Sequence, residues 1–174
     1  MFKTREITIL GLFISLGIIL PYATGHMFGI PGTILLPMHI PVILIGLFYG
    51  QVTGFMLGML IPFLSSILTG MPSVVMLPIM MVELSLYGFM CGLMYKKLNM
   101  HIYISLITAM ITGRSGYLII LYIFADILNM EAYTKVASVY VAIIVGMPGI
   151  ILQLVGIPII VKFLGGYICG KTTI

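Results

Sequence analysis

The sequence predicts an all-α integral membrane protein: a six-transmembrane-helix bundle with both termini cytoplasmic, forming a single membrane domain over residues 1–174. Three observations carry that expectation. Hydrophobic residues make up 61% of the chain, charged residues only 7%, and the mean hydropathy is +1.28, whereas a soluble domain carries about a quarter charged residues. A helical span needs about 20 mostly apolar residues, so a chain of 174 residues has no room beside its spans for a soluble catalytic domain. The runs are also apolar all round, while a membrane β-barrel would alternate apolar and polar positions over segments of about ten residues.

The runs place spans at 6–22, 34–49, 51–69, 74–95, 101–125 and 136–164. The first has the charge pattern of a secretory signal, with Lys3 and Arg5 before an apolar core. It ends in Pro21-Tyr22-Ala23-Thr24 without a small-x-small cleavage pattern, and is read as a retained helix. The second opens with Leu35-Leu36-Pro37-Met38-His39-Ile40-Pro41, where two prolines four apart should kink or unwind the backbone. Irregular backbone at membrane depth is tolerated where it lines a cavity or is buried in protein, which makes His39 a candidate site residue. Its other reading is a packing histidine, since no metal-ligand spacing surrounds it. Ser65, Ser66 and Thr69 cap the outer end of the third span, the fourth contains Glu83 and Tyr87, the fifth Arg114 and Tyr117, and the sixth Gln153.

Small residues recur at four-residue spacing: Gly11 and Ser15 in the first span, Gly46, Gly50, Gly54 and Gly58 across the next two, Gly88 and Gly92 in the fourth. Such spacing lets helix backbones approach closely in lipid, either within the bundle or against a partner.

Lys3, Arg5, Lys96, Lys97, Lys162 and Lys171 lie on one side of these spans and only Lys135 on the other, which puts the termini inside. The net charge of +4 is then a topology signal. No nucleic-acid partner is indicated, because the basic residues are dispersed rather than gathered on one face. Cys91, inside a span, and Cys169, in the cytoplasmic tail, read as bystanders. Residues 165–172, GGYICGKT, match the phosphate-binding loop pattern, but that loop works only between a strand and a helix N-terminus. No cofactor is expected, and any ATP must be hydrolysed by another protein.

Glu83 and Arg114 are the charges that the pattern sets deep in hydrocarbon. Each costs about 2.5–3.5 kcal/mol on insertion scales, so such residues usually pair or face a protein-lined pathway or ligand site. Counting about 1.5 Å of rise per residue, Glu83, Arg114 and His39 come to similar depth from the outer side, with Tyr87 and Tyr117 one turn away on the same helix faces. The inner half is nearly bare of polarity apart from Gln153. The economical reading is a pocket open to the outside. Glu83 and Arg114 either tie two helices together or hold a ligand, with a carboxylate engaging the guanidinium bidentately. One histidine and one glutamate on different helices are too little for an intramembrane hydrolase.

Leu36-Pro37-Met38-His39-Ile40-Pro41 followed by Gly46, the stretch from Ser65 to Pro72, Met80-Met81-Val82-Glu83-Leu84 with Tyr87-Gly88, and Gly113-Arg114 together resemble the substrate-binding S-components of energy-coupling-factor (ECF) transporters. The resemblance runs from the first span to the last. It implies a multi-pass protein of a bacterial cell membrane that captures a water-soluble vitamin from outside, with Arg114, Glu83, His39, Tyr87 and Tyr117 as substrate-binding residues and no enzyme activity. It further implies a membrane scaffold (T) subunit and two cytoplasmic ATPases as partners, with scaffold docking falling on Gly11 and Ser15, where the family more often has alanine. The Met-His and Met-Val-Glu-Leu stretches look most like pantothenate-type members. A pyridoxine-like compound or a queuosine precursor stays open within the family, and a non-transporting membrane scaffold or cell-morphogenesis subunit stays open outside it. The outer loops at 23–33, 70–73 and 126–135 are expected to form a lid.

Overall fold

The computed structural model describes the backbone of residues 4–27, 36–124 and 139–168 and the side chains of 7–25, 36–124 and 146–163. The elements among these residues are all helical: α1 (Thr4–Tyr22, extended by a π-helical turn Ala23–Met27), α2 (His39–Tyr49), α3 (Gln51–Thr69), α4 (Leu77–Cys91, continued as a π-helical segment Gly92–Lys97), α5 (Ile102–Tyr122) and α6 (Val139–Ile168). Five of them are long and apolar enough to cross a membrane, and α2, at 11 residues, is shorter. Most of two of the expected lid loops, and Lys3, Lys135, Cys169 and Lys171, lie outside the described residues.

Proline explains why α2 starts at His39 and not near 34. Pro37 cannot donate to a helical ladder, and Leu36–Met38 instead form a turn closed by the His39 amide on the Leu36 carbonyl at 3.1 Å. Pro41 falls in the first turn of α2, where its missing N–H has no intrahelical partner to lose. The same logic places Pro78 in the first turn of α4. Glycine sets the tight turns. Gly50, at φ 95°, is the single residue between α2 and α3, and Gly70, at φ 73°, ends α3 with its amide on the Ser66 carbonyl. Both conformations are strained for a residue with a Cβ.

The bundle is organised around α4, which packs on α2, α3 and α5. The small-residue spacing is spent here, inside the chain. A Cβ on Gly46 or Gly54 would run into the Gly88 backbone, one on Gly58 into Ser85, and one on Gly92 into Gly50 and Gln51. The helix axes therefore lie close enough for the apolar side chains of α2 and α3, Val42, Ile43, Ile45 and Ile61, to be fully buried with Leu84 of α4 and Leu106 of α5. α1 packs on α2 and α3, burying Phe13 while Ile7, Leu12 and Ile19 stay exposed. α6 closes the other side against α2 and α5.

Candidate functional site

Because α4 is central, the residues on its buried face are sealed from lipid. Glu83 and Tyr87 sit one turn apart on that face, 1% and 0% exposed. The start of α2 brings His39 to them, also 1% exposed, with its ring edge-on to Tyr87 at 4.9 Å and 87°. From α5, Arg114 Nη1 reaches Glu83 Oε1 at 3.1 Å, and His39 Nε2 stands 3.5 Å from the same oxygen. The Arg114 guanidinium also lies 6.0 Å from the Tyr117 ring centroid. All five residues expected to form the site are thus in one cluster. Gly113, beside Arg114, leaves room for the Tyr87 ring, against which any Cβ there would press.

Glu83 and Arg114 form an ion pair, as one of the two sequence readings held. A buried carboxylate without a cation would be strongly disfavoured, so the pair offsets the desolvation of both groups. It does not use the guanidinium up. Nε and Nη2 of Arg114 are buried with no hydrogen-bond acceptor among the described residues, and a buried donor left unsatisfied costs about 1–3 kcal/mol. Arg114 is also the least enclosed member of the cluster, its side chain 17% exposed where those of Glu83 and His39 are 1–2%.

Two contributors were not foreseen. Gly146 of α6 packs against Arg114, and a Cβ there would stand 2.6 Å from Nη2. Gln153 of α6, expected in the inner half away from the pocket, is fully buried, and its Nε2 donates to the Leu36 carbonyl at 3.4 Å. Leu36 has φ 49°, a conformation that costs a non-glycine residue about 1–3 kcal/mol and persists where its surroundings impose it. Here the His39 amide and Gln153 hold the same carbonyl. A lone glycine and a lone glutamine in an apolar helix give no sequence signal of which face they take, and the Gln153 contact crosses 117 positions of chain.

Beside the cluster, at the head of α2 and the start of α4, lies a cavity of about 200 Å³. Of the five cluster residues only His39 lines it. One wall is the loop after α3, pinned by Ser65 Oγ donating to the Met71 carbonyl at 2.7 Å and Ser66 Oγ to the Pro72 carbonyl at 2.8 Å. The hydroxyls expected to cap α3 therefore hold the one expected lid segment that is fully described. Among the described residues no three His, Cys, Asp or Glu side chains come together. The cluster offers a fixed cation with two buried donors unmet among the described residues, a carboxylate, an imidazole and two phenols, which is equipment for holding a polar ligand.

The family model described as "ECF transporter, substrate-specific component" matches residues 5–161 of the 174. The chain belongs to this family. No curated protein and no solved structure matches it. As an ECF substrate-specific component it is a multi-pass membrane protein, from a family of transporter binding subunits that work with a T subunit and ATPases.

On this S-component, Gly11 and Ser15 fall on the exposed side of α1. Nothing lies within 4 Å of a Cβ built on Gly11, and Ser15 Oγ turns back onto the Gly11 and Leu12 carbonyls at 3.0 and 2.9 Å. Gly165–Ile168 of the phosphate-loop pattern continue α6, and its remaining residues lie outside the described ones.

Proposed function

We propose that this S-component captures a small water-soluble vitamin bearing a carboxylate, with pantothenate as the leading candidate. The ligand carboxylate engages Arg114 bidentately, Glu83 and His39 hold its polar groups, and Tyr87 and Tyr117 pack beside it. The termini face the cytoplasm of a bacterial cell. A T subunit docks along Gly11 and Ser15, and two cytoplasmic ATPases supply the energy, so the chain itself needs no cofactor.

The observation that carries this reading is the state of Arg114. A guanidinium already paired with one carboxylate, yet retaining two buried donors without acceptors among the described residues, suits an incoming planar oxyanion, because carboxylates match the guanidinium fork. An arginine serving only as a helix tie would be expected to have its remaining donors satisfied.

The test is equilibrium binding of a panel of labelled vitamins, pantothenate included, to the detergent-purified chain, with Arg114→Ala as control. Saturable binding of one carboxylate-bearing compound, weakened at least about tenfold by loss of a charged hydrogen bond, is the expected result. A folded protein that binds nothing in the panel would leave Glu83 and Arg114 as a structural pair.

A further inference from the structure

Leu36 stands between the cavity beside the cluster and the Arg114 guanidinium. It lines the cavity, and its Cδ1 lies 3.5 Å from the position that a Cβ on Gly146 would take, with Arg114 Nη2 2.6 Å from the same position. The two sides of this wall differ in chemistry. On one are the charges of Arg114 and Glu83. On the other are four methionines, Met38, Met71, Met76 and Met80, and the only polar side chains lining that side among the described residues are His39 and Ser73. Both ring nitrogens of His39 are buried, so it turns neither of them to the cavity.

Such a space suits an apolar guest. Protein interiors keep few voids larger than a water molecule, and a dry apolar cavity of about 150 Å³ takes a benzene-sized guest. At about 200 Å³, this one holds a compact group of about six carbons. Small-molecule pockets run to about 300–1,000 Å³, so the cavity is the size of part of a pocket. What it lacks, a group to hold charge, lies past Leu36. That wall is built to yield. Leu36 holds φ 49°, and strained backbone of this kind clusters at ligand clamps and switches. Its carbonyl is fixed by the His39 amide and by Gln153 Nε2, while its side chain can turn between staggered rotamers.

We propose that the methionine cavity is the apolar half of the ligand pocket, and that Leu36 is the partition a ligand displaces to occupy both halves. The ligand is then an amphipathic acid, with a carboxylate at Arg114 and a compact apolar group of about six carbons or fewer in the cavity. This rests on the carboxylate reading of Arg114 and adds the chemistry of the ligand's other end. The unbranched, rotatable methionine side chains let the walls fit the shape of that group, so they and Leu36 determine specificity.

Radiolabelled acetate, butanoate, hexanoate and octanoate are the probes, with hexanamide as the uncharged partner of hexanoate. Each is dialysed to equilibrium against the full-length chain in lipid nanodiscs, and uptake by empty nanodiscs is subtracted. A buried methylene is worth about fourfold in affinity, so hexanoate should bind at least about tenfold more tightly than acetate, with butanoate between them. Octanoate, too long for the cavity, should gain nothing further. Leu36→Gly removes the partition and suits φ 49°, and should raise the ratio of hexanoate to acetate affinity at least about threefold. Met76→Ala enlarges the cavity and should move the preferred length from hexanoate to octanoate, which decides the matter if the Leu36 variant does not fold. Hexanoate binding no more tightly than acetate, with both lost in Arg114→Ala, overturns this inference and leaves the carboxylate reading standing. Equal binding of hexanoate and hexanamide overturns both. A gain that continues undiminished to octanoate in the wild type, or a ratio unchanged in a folded Leu36→Gly, also overturns the inference.

Discussion

The Cβ that Gly146 lacks would fall 2.6 Å from Nη2 of Arg114. The absence of a side chain on α6 is what lets the guanidinium lie between α4 and α6 with a donor pointing away from Glu83. Adding a methyl group there forces the flexible end of Arg114 to move but meets no backbone, so the fold should survive. Gly146→Ala is therefore expected to keep its elution profile and unfolding midpoint while weakening binding of the carboxylate ligand about tenfold or more, since a displaced charge-assisted hydrogen bond is worth about 1.5–3 kcal/mol. Equilibrium binding beside a thermal melt checks both halves. A variant that melts early but binds normally would separate Gly146 from the site.

Glu83 and the proposed ligand carboxylate share one cation. Glu83→Gln keeps a polar group for the ligand but leaves a buried guanidinium without its counter-charge, which costs about 3–5 kcal/mol when a buried pair is broken. Stability and affinity should thus move in opposite directions: a lower unfolding midpoint in the free protein, and tighter binding of an anionic ligand, which restores the charge. A cationic ligand would show the reverse change in affinity, so this variant reports the charge of the substrate before its identity is known.

The convergence of His39, Glu83, Tyr87, Arg114 and Tyr117 was legible in the sequence because each is a polar residue on an apolar helix, and helical rise fixes their depth. The small-residue spacing was legible for a similar reason, although it left open whether the glycines met one another or a partner. The short α2 was harder to read, since hydropathy counts Ile34 and Leu35 as span while Pro37 sets where hydrogen bonding begins. The Gln153–Leu36 contact and the methionine lining of the cavity beside the cluster depend on which face each helix turns inward. Methionine in an apolar run carries no marker of that.

Glycines of the same spacing should behave differently according to what faces them. A Cβ on Gly88 would run into the Gly54 backbone, whereas one on Gly11 meets nothing within 4 Å. Gly88→Ala must push α4 away from α3, and overpacking of this kind costs about 1–3 kcal/mol or more, visible as a lower unfolding midpoint in detergent. Gly11→Trp should leave that midpoint unchanged. If α1 docks the T subunit, the same tryptophan should abolish co-purification with it, and normal co-purification would move the docking surface elsewhere.

Lys96 and Lys97 look equivalent as a basic pair between the fourth and fifth spans, and the structure gives them different work. Lys96 Nζ donates to the Phe48 carbonyl in the last turn of α2 at 2.6 Å and stands 5.8 Å from the Tyr49 ring centroid. A cation at a helix C-terminus donates to a carbonyl of the last turn and complements the dipole. α2 is too short at 11 residues to lose such an anchor without effect. Lys96→Met, which keeps the apolar stem and removes the charge, is expected to cost about 1 kcal/mol, near the middle of the range for intramolecular hydrogen bonds. In a domain of this size that lowers the unfolding midpoint by about 2–4 °C. Lys97→Met should shift it by less, since exposed substitutions away from specific contacts stay within about 0.5 kcal/mol. Equal shifts in the two variants would show that the pair acts through its summed charge and not through the bond from Lys96 to α2.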